Sequence, residues 1–335
     1  MSASAPPVSA RGSALGRVWT SIHTSQVMVL VGVIVVVAVV VQIQNPIFLT
    51  ENNLISLVRG AVTTFVLGVG LTLVFTSGGI DMSVGAVFTL GGITAAAVMQ
   101  AGVPWPVGIA VGLAAGVLAG AVNAALIILV KIPPIIATIS TLYAVTGLTL
   151  VATSGNPISS LPPEFAALGQ SSVGSIPLLV VYAAVIGVVA HVLLAHTKLG
   201  YDLKAIGGNE RSALSNGVPV VRLKVVAYAI SGGVAALAGI LYTARTGTAD
   251  PGIGGTNLTF AAISAVLIGG TSLFGGIGTI AGTALGALLF AAIQNGLTVA
   301  GVNPLYQNIV IGVILASAVA SDGWRRRRAF KVGRS

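Results

Sequence analysis

The chain reads VMVLVGVIVVVAVVV from Val27 to Val41, a run without a single charged side chain. It approaches the roughly 20 apolar residues that a helix needs to cross a bilayer. Arg11 and Arg17 precede the run, as basic residues precede the apolar core of a signal peptide. The run leads into Asn45-Pro46, and no small-x-small cleavage site follows it. We therefore interpret it as an uncleaved first membrane span.

The composition of the whole chain agrees with a membrane-embedded fold. Of 335 residues, 7% are charged and 55% are apolar, and the mean hydropathy is +1.02. An ordinary soluble domain carries about 25% charged residues. The 44 glycines suit helices that pack closely in lipid. The apolar stretches have the length of helices, unlike the short alternating strands of an outer-membrane barrel. The sequence therefore predicts an all-α, polytopic membrane protein.

Further apolar runs of helical length follow the first one. Glycine pairs separate some neighbours, for example Gly78-Gly79 and Gly275-Gly276. Because such breaks also occur inside discontinuous membrane helices, the second and third spans could instead form a broken pair, and so could the eighth and ninth. We predict about ten spans, at residues 27–44, 61–77, 82–100, 106–130, 133–153, 176–195, 223–244, 258–275, 277–299 and 305–321.

Basic residues lie between and beyond the spans, which explains the net charge of +9 without nucleic-acid binding. We place the N-terminus in the cytoplasm and alternate ten spans. All of the 16 Lys and Arg residues except Arg59 and Arg245 then lie on the cytoplasmic side, as the positive-inside rule requires. The predicted organisation is a cytoplasmic tail at 1–26, a transmembrane domain at 27–321 and a basic cytoplasmic tail at 322–335.

Enzyme chemistry finds no support in the sequence. The chain has no cysteine, and His23, His191 and His196 do not stand beside acidic pairs with metal-ligand spacing. No glycine-rich stretch ends in the Lys-Ser/Thr of a Walker A loop, so we expect neither ATP hydrolysis nor a cofactor on this chain. An ion-coupled transporter remains an alternative, because carbonyls and hydroxyls alone can bind Na⁺, although ionisable groups at membrane depth are few.

A few polar residues in or beside the spans are candidates for a gate or for the wall of a solute pathway. Asp81 precedes the third span, where it could cap that helix or take part in gating. Asn123 lies among small residues, where an interhelical hydrogen bond is the alternative. Hydroxyls of the fifth span, such as that of Ser140, could bond to their own backbone. The candidate pathway or gate residues are Asp81, Ser83, Asn123, Thr138, Thr141 and Asn295.

The segment 196–222 is the most polar stretch between two spans and is predicted to be cytoplasmic. Leu203 to Ile206 followed by Gly207-Gly208 indicates a short helix with a glycine stop. A second helix begins after Asn209, a suitable N-cap. Short helices at a membrane surface are suited to dock into a groove on another protein; a solvated connector is the alternative. The other long connection, 154–175, is predicted to be an external packed loop or short surface helix.

At this segment the sequence resembles a known family. Thr197-Lys198-Leu199-Gly200 leads to Ala205-Ile206-Gly207-Gly208-Asn209-Glu210, and other stretches match in order from about residue 45 to 320. The chain resembles the ribose/xylose/galactose-type permeases of bacterial ABC importers, in the branched-chain amino acid/sugar permease superfamily. Relatives of these permeases serve inositol, autoinducer-2 and nucleosides. The other matching stretches are Gly78 to Ala86, Ile132 to Thr138, Ala227 to Gly232, Ala235 to Ile240 and Ile268 to Thr279.

The resemblance implies a permease domain at 27–321 with the fold of importers similar to the vitamin B12 importer. It implies a second permease copy, identical or different, and two ATP-binding subunits that hold ATP and Mg. An extracytoplasmic binding protein would deliver a small neutral polar solute, expected to be a monosaccharide, with nucleosides as the alternative. The location would be the bacterial cytoplasmic membrane, with both termini cytoplasmic. The 197–217 segment would couple to the ATPase through Lys198, Gly200, Asp202, Ala205, Gly207, Gly208, Asn209, Glu210, Arg211 and Gly217.

Overall fold

The computed structural model describes residues 10–332, with side chains from Val27 to Ala320 except that of Pro304. The predicted tails at 1–26 and 322–335 lie outside the residues whose side chains are described. The described residues form helices joined by connecting segments, and one of these connections contains a short hairpin. Its elements are α1 (Ala10–Gln44), α2 (Glu51–Thr76), α3 (Val84–Gln100), α4 (Trp105–Ile128), α5 (Pro134–Thr153), α6 (Pro163–Gln170), β1 (Ser172–Val173), β2 (Ile176–Pro177), α7 (Leu178–His196), α8 (Lys198–Gly208), α9 (Glu210–Ser215), α10 (Val220–Thr246), α11 (Thr256–Ile268), α12 (Ile280–Val299) and α13 (Pro304–Val332).

Seven of the described helices are long and apolar enough to cross a membrane, and three shorter apolar helices accompany them. The shorter ones are α3, α11 and the Leu305–Ala320 part of α13. Each of the ten predicted spans overlaps one of these apolar helices, so the predicted fold class is confirmed. The second span begins at Glu51 instead of residue 61, because a helix can continue into polar residues that hydropathy assigns to a loop.

The eighth predicted span, 258–275, is wrong at its end. The helix α11 stops at Ile268, and residues 269–279 are irregular before α12 begins. Gly270, Gly275 and Gly276 in this stretch have φ angles of 88°, 88° and 81°, a left-handed conformation that breaks a helix. Hydropathy depends on side-chain composition and contains no information on backbone φ angles, so it predicted a continuous span.

The helix α10 forms the centre of the subunit and packs against α2, α3, α4 and α6. Its contact with α3 depends on small residues: a Cβ built on Gly91 would lie 2.5 Å from the Cα of Ala236. This distance leaves no room for a side chain, so the two backbones meet directly, as is common between membrane helices. The helix α2, which contacts α10, also packs against α7, α11 and α12.

The connections gather at two opposite ends of the bundle. At one end, here named the hairpin end, β1 pairs antiparallel with β2 and α6 packs on the last turns of α10. Ile158 pairs with Ala249 in an isolated bridge, so the connection 154–175, predicted to be external, lies together with the connection 246–257. The helix α6 agrees with the expected short surface helix, whereas the hairpin was not predicted. At the other end lie α8 and α9.

Candidate functional site

The helices α8 and α9 are defined by two capping side chains. The hydroxyl of Thr197 accepts the N–H of Gly200 at 3.4 Å, and Oδ1 of Asn209 accepts the N–H of Ser212 at 3.0 Å. These bonds satisfy amide groups that a helix start leaves unpaired. The predicted pair of short helices, with Asn209 as the cap of the second, is therefore confirmed.

One face of the α8–α9 pair is anchored in the bundle. Leu203 is 0% exposed, Ile206 2% and Ala213 5%, and they join an apolar cluster with residues of α2, α7 and α10. Glu210 also forms a 2.8 Å ion pair with Lys224 at the start of α10. One face of the segment is thus packed on the bundle, which disagrees with a fully solvated connector.

The opposite face is open and mixed in character. Tyr201 is 60% exposed and Leu214 64%. The Lys204 ammonium lies 5.8 Å from the centre of the Tyr201 ring, and partial burial lowers its pKa. Large apolar side chains ringed by polar ones are typical of a surface that binds another protein. Of the residues predicted to couple, the exposed ones are Lys198, Ala205, Gly208, Asn209, Glu210, Arg211 and Gly217.

Three of the predicted coupling residues face inward. Asp202 and Gly207 are half-buried, and Gly200 is buried. A Cβ on Gly200 would meet the backbone of Leu194 in α7, so Gly200 serves the close turn from α7 into α8. The sequence motif contains exposed and inward-facing residues alike, and only the packing distinguishes the two groups.

Gly207 is the point where α8 meets the core. A Cβ built there would lie 3.0 Å from the Cα of Gly275, and closer still to the carbonyl oxygen of Thr76 and the amide of Gly276. The N–H of Gly276 donates to the carbonyl of Thr76 at 3.0 Å, and Gly78 also approaches Gly207. We name these residues, Thr76, Gly78, Gly207, Gly275 and Gly276, the glycine junction. The glycine junction joins α8 to the C-terminal end of α2 and to the irregular stretch 269–279.

A buried polar network lies a few residues beyond the junction. Asp81 is 1% exposed, and its Oδ1 accepts the N–H and the hydroxyl of Ser83 at 3.0 and 2.6 Å. Its Oδ2 accepts the hydroxyl of Ser231 in α10 at 2.9 Å, and the amide of Asn123 in α4 donates to the Ser83 hydroxyl at 2.8 Å. This Asp81 network (Asp81, Ser83, Asn123, Ser231) ties the turn before α3 to two other helices.

The network corrects one sequence expectation and favours one of two alternatives for a second residue. The N-cap of α3 is Ser83, not Asp81, which instead closes the turn in front of it. Asn123 makes a hydrogen bond to Ser83 at the start of α3, the interhelical contact that was the alternative to a pathway role. Tyr228 was not predicted, although it lies in a matching motif; its hydroxyl donates to the carbonyl of Ile80 at 3.1 Å and accepts the N–H of Ile80 at 3.2 Å.

The sequence comparisons decide the family. The family described as "Branched-chain amino acid transport system / permease component" matches residues 53–319. The chain belongs to this family. It is a multi-pass membrane permease and not an enzyme, which agrees with the predicted class.

Relatives of this permease cover most of its length. The chain is 40% identical to the ribose import permease protein RbsC of Bacillus subtilis, over 86% of this chain and 89% of that protein. It is 34% identical to the D-allose transport system permease protein AlsC of Escherichia coli, over 86% and 88%. It is 32% identical to the L-arabinose ABC transporter permease protein AraH of Azospirillum brasilense, over 95% and 94%. No solved structure matches the chain.

The remaining candidate residues of the permease lie inside the subunit. Thr138 is 0% exposed and bonds to the carbonyl of Pro134 at 2.8 Å, and Thr141 is 7% exposed. Asn295 exchanges two amide hydrogen bonds with Asn53, at 2.8 and 2.9 Å, which join α12 to α2. The Asn53–Asn295 contacts thus join two helices, whereas the Thr138 bond lies within α5. Among the described residues, no cluster of three potential metal ligands occurs.

Proposed function

We propose that this permease is the membrane-spanning subunit of an ATP-driven importer of a neutral monosaccharide. It would work with two ATP-binding subunits, a second permease copy and an extracytoplasmic sugar-binding protein. The membrane would be the bacterial cytoplasmic membrane, with both termini in the cytoplasm. The names of the relatives, which concern ribose, allose and arabinose, support the sugar class.

The observation that carries the coupling role is the glycine junction. The open face of α8 and α9 offers Tyr201 and Leu214 to a partner, while Gly207 on the same short element touches the breaks at Thr76 and at Gly275-Gly276. A movement that an ATP-binding subunit imposes on α8 would therefore reach two membrane helices without a flexible linker. Free energy would enter through the different affinities of nucleotide and partner for two conformations.

The charge distribution favours a neutral solute. The helices α3, α4, α5, α7, α11 and α12 contain no Asp, Glu, Lys or Arg. An ion in a site of low dielectric needs an opposite charge or several strong dipoles, whereas a sugar needs hydroxyl, amide and backbone groups. Nucleosides meet the same requirement and remain the second candidate.

Binding-protein docking is proposed for the hairpin end. There the connections 154–175 and 246–257 form one surface, since Ile158 pairs with Ala249 and the amide of Gln170 donates to the carbonyl of Arg245 at 3.2 Å. A surface formed by both connections would change shape when the bundle closes, because α10 runs from α9 to this end.

Reconstitution into liposomes tests the proposal. The permease, its ATP-binding subunits and the loaded binding protein should take up labelled D-ribose, D-allose or L-arabinose only with ATP and all partners present. Uphill uptake by the permease alone with an ion gradient would establish the ion-coupled alternative. Downhill passage without partners would indicate a channel, and uptake of nucleosides in place of sugars would select the second solute class.

A further inference from the structure

The helix α5 exposes a face unlike that of the other outer helices. Tyr143 is 69% exposed, and Ser140, Ala144 and Gly147 are exposed as well. At about 100° per residue these four positions lie on one side of the helix. The middle of an exposed face inside the membrane is thus occupied by two hydroxyl groups and two small residues.

The other outer helices present the composition expected against lipid. The exposed side chains of α7 in mid-helix include Val185, Val188 and Val189, and those of α4 include Val117 and Leu118. Hydrocarbon tails favour such side chains and offer no partner to a hydroxyl. The face of α5 differs from them only in its middle, at Ser140 and Tyr143, because towards its ends it exposes Ile136 and Val151.

The depth of Tyr143 excludes the usual explanation for a membrane tyrosine. Tyrosines are enriched in the belt where the bilayer meets water. Tyr143 is the tenth residue of the 20-residue helix α5, so about 14 Å of helix separate it from either end. No hydrogen bond to its hydroxyl is found among the described residues, and a phenol at this depth needs a polar partner outside the subunit.

We propose that the face of α5 formed by Ser140, Tyr143, Ala144 and Gly147 lines the solute pathway, and that the Tyr143 ring stacks against the C–H face of the passing sugar. The proposal rests on the proposed function and names the residues that meet its solute. The small residues leave space beside the ring, and the Tyr143 hydroxyl exchanges hydrogen bonds with sugar hydroxyls. The Ser140 hydroxyl donates to the carbonyl of Ile136 at 2.8 Å and can accept one more hydrogen bond from the sugar. The negative face of an aromatic ring attracts the polarised C–H groups of a sugar.

Cysteine accessibility tests the pathway without knowledge of the solute. The chain has no cysteine, so single substitutions carry no background. In the assembled transporter in proteoliposomes, Tyr143→Cys and Ser140→Cys should react with a membrane-impermeant thiol reagent, at a rate that changes when ATP is added. Val188→Cys is the matched control, because Val188 is 63% exposed in the middle of α7, and it should not react. Equal inertness of all three would overturn the proposal, whether or not the α5 cysteines cross-link to a second copy.

Uptake of labelled D-ribose, D-allose and L-arabinose tests the role of the ring. Tyr143→Phe keeps the ring and should retain uptake within about twofold, whereas Tyr143→Leu should lower it about threefold or more. Equal uptake by Tyr143→Leu and the wild type would overturn the stacking. If the wild type moves none of these sugars while Tyr143→Cys still reacts, the proposed solute class fails and the pathway stands.

Discussion

Replacing Gly207 by alanine places one methyl group in the glycine junction. That methyl would lie 3.0 Å from the Cα of Gly275 and closer to the backbone of Thr76 and Gly276, so backbone atoms must move. Overpacking of this kind costs about 1–3 kcal/mol, and the better helix propensity of alanine returns about 1 kcal/mol at most. We expect the junction to open by a net shift of up to about 2 kcal/mol, which changes the ratio of two conformations by up to about 30-fold.

Gly208→Ala is the matched control. The neighbouring glycine ends the same helix, and a Cβ built on it meets nothing within 4 Å. Both variants therefore change helix propensity alike, but only Gly207→Ala enters the junction. Gly208 is exposed on the open face, so its variant also reports whether an added methyl disturbs docking.

The assay compares sugar uptake, ATP hydrolysis and co-purification of the ATP-binding subunits. Gly207→Ala should lower uptake per ATP hydrolysed about tenfold while the ATP-binding subunits remain bound, and Gly208→Ala should stay within about twofold of the wild type. If Gly207→Ala transports normally, the junction does not transmit motion. If both variants lose their ATP-binding subunits, the effect arises at the docking face.

Three further predictions concern stability and docking. Ser231→Ala removes the hydroxyl that donates to Asp81 and should lower the free energy of unfolding by about 1.5–3 kcal/mol, measured by denaturation in detergent. Ser140→Ala, at an exposed site, should change this free energy little, and equal losses would refute a special role for the Asp81 network. Asn295→Leu removes both amide hydrogen bonds that half-buried Asn53 makes to α12, while Asn53 keeps its bond to the carbonyl of Phe48, and should cost about 1–2 kcal/mol. Asn295→Asp, which can still accept from the Asn53 amide, should cost less, and an equal cost would argue against the amide pair. Arg211→Glu reverses an exposed charge on α9 and should weaken co-purification of the ATP-binding subunit without changing the thermal transition of the permease. Unchanged binding at both low and high salt would show that Arg211 does not lie in the interface.

Local features of this permease could be predicted from the sequence because their causes are local. The apolar run at 27–41 and its successors predicted ten apolar helices, of which seven are long enough to cross a membrane and three are shorter in the described residues, since the cost of moving polar groups into lipid depends on composition. Asn209 was a predictable cap because its side chain bonds to an amide three residues ahead. The family motifs, and with them the permease class, also follow from residue order.

The site depends on contacts between residues far apart in the chain. Ser231 donates to Asp81 although 150 positions separate them in the chain, and no local sequence pattern around either residue predicts this contact. Gly207 looks like a glycine helix stop, but its small size matters because Thr76 and Gly276 meet it. Thr138 and Tyr143 share one helix, and only the packing of α5 on α3 and α4 decides that the first is buried and the second exposed. The sequence by itself determined which segments enter the membrane; the tertiary structure decided which of their faces meet each other, because hydropathy measures transfer from water and not the fit between helices.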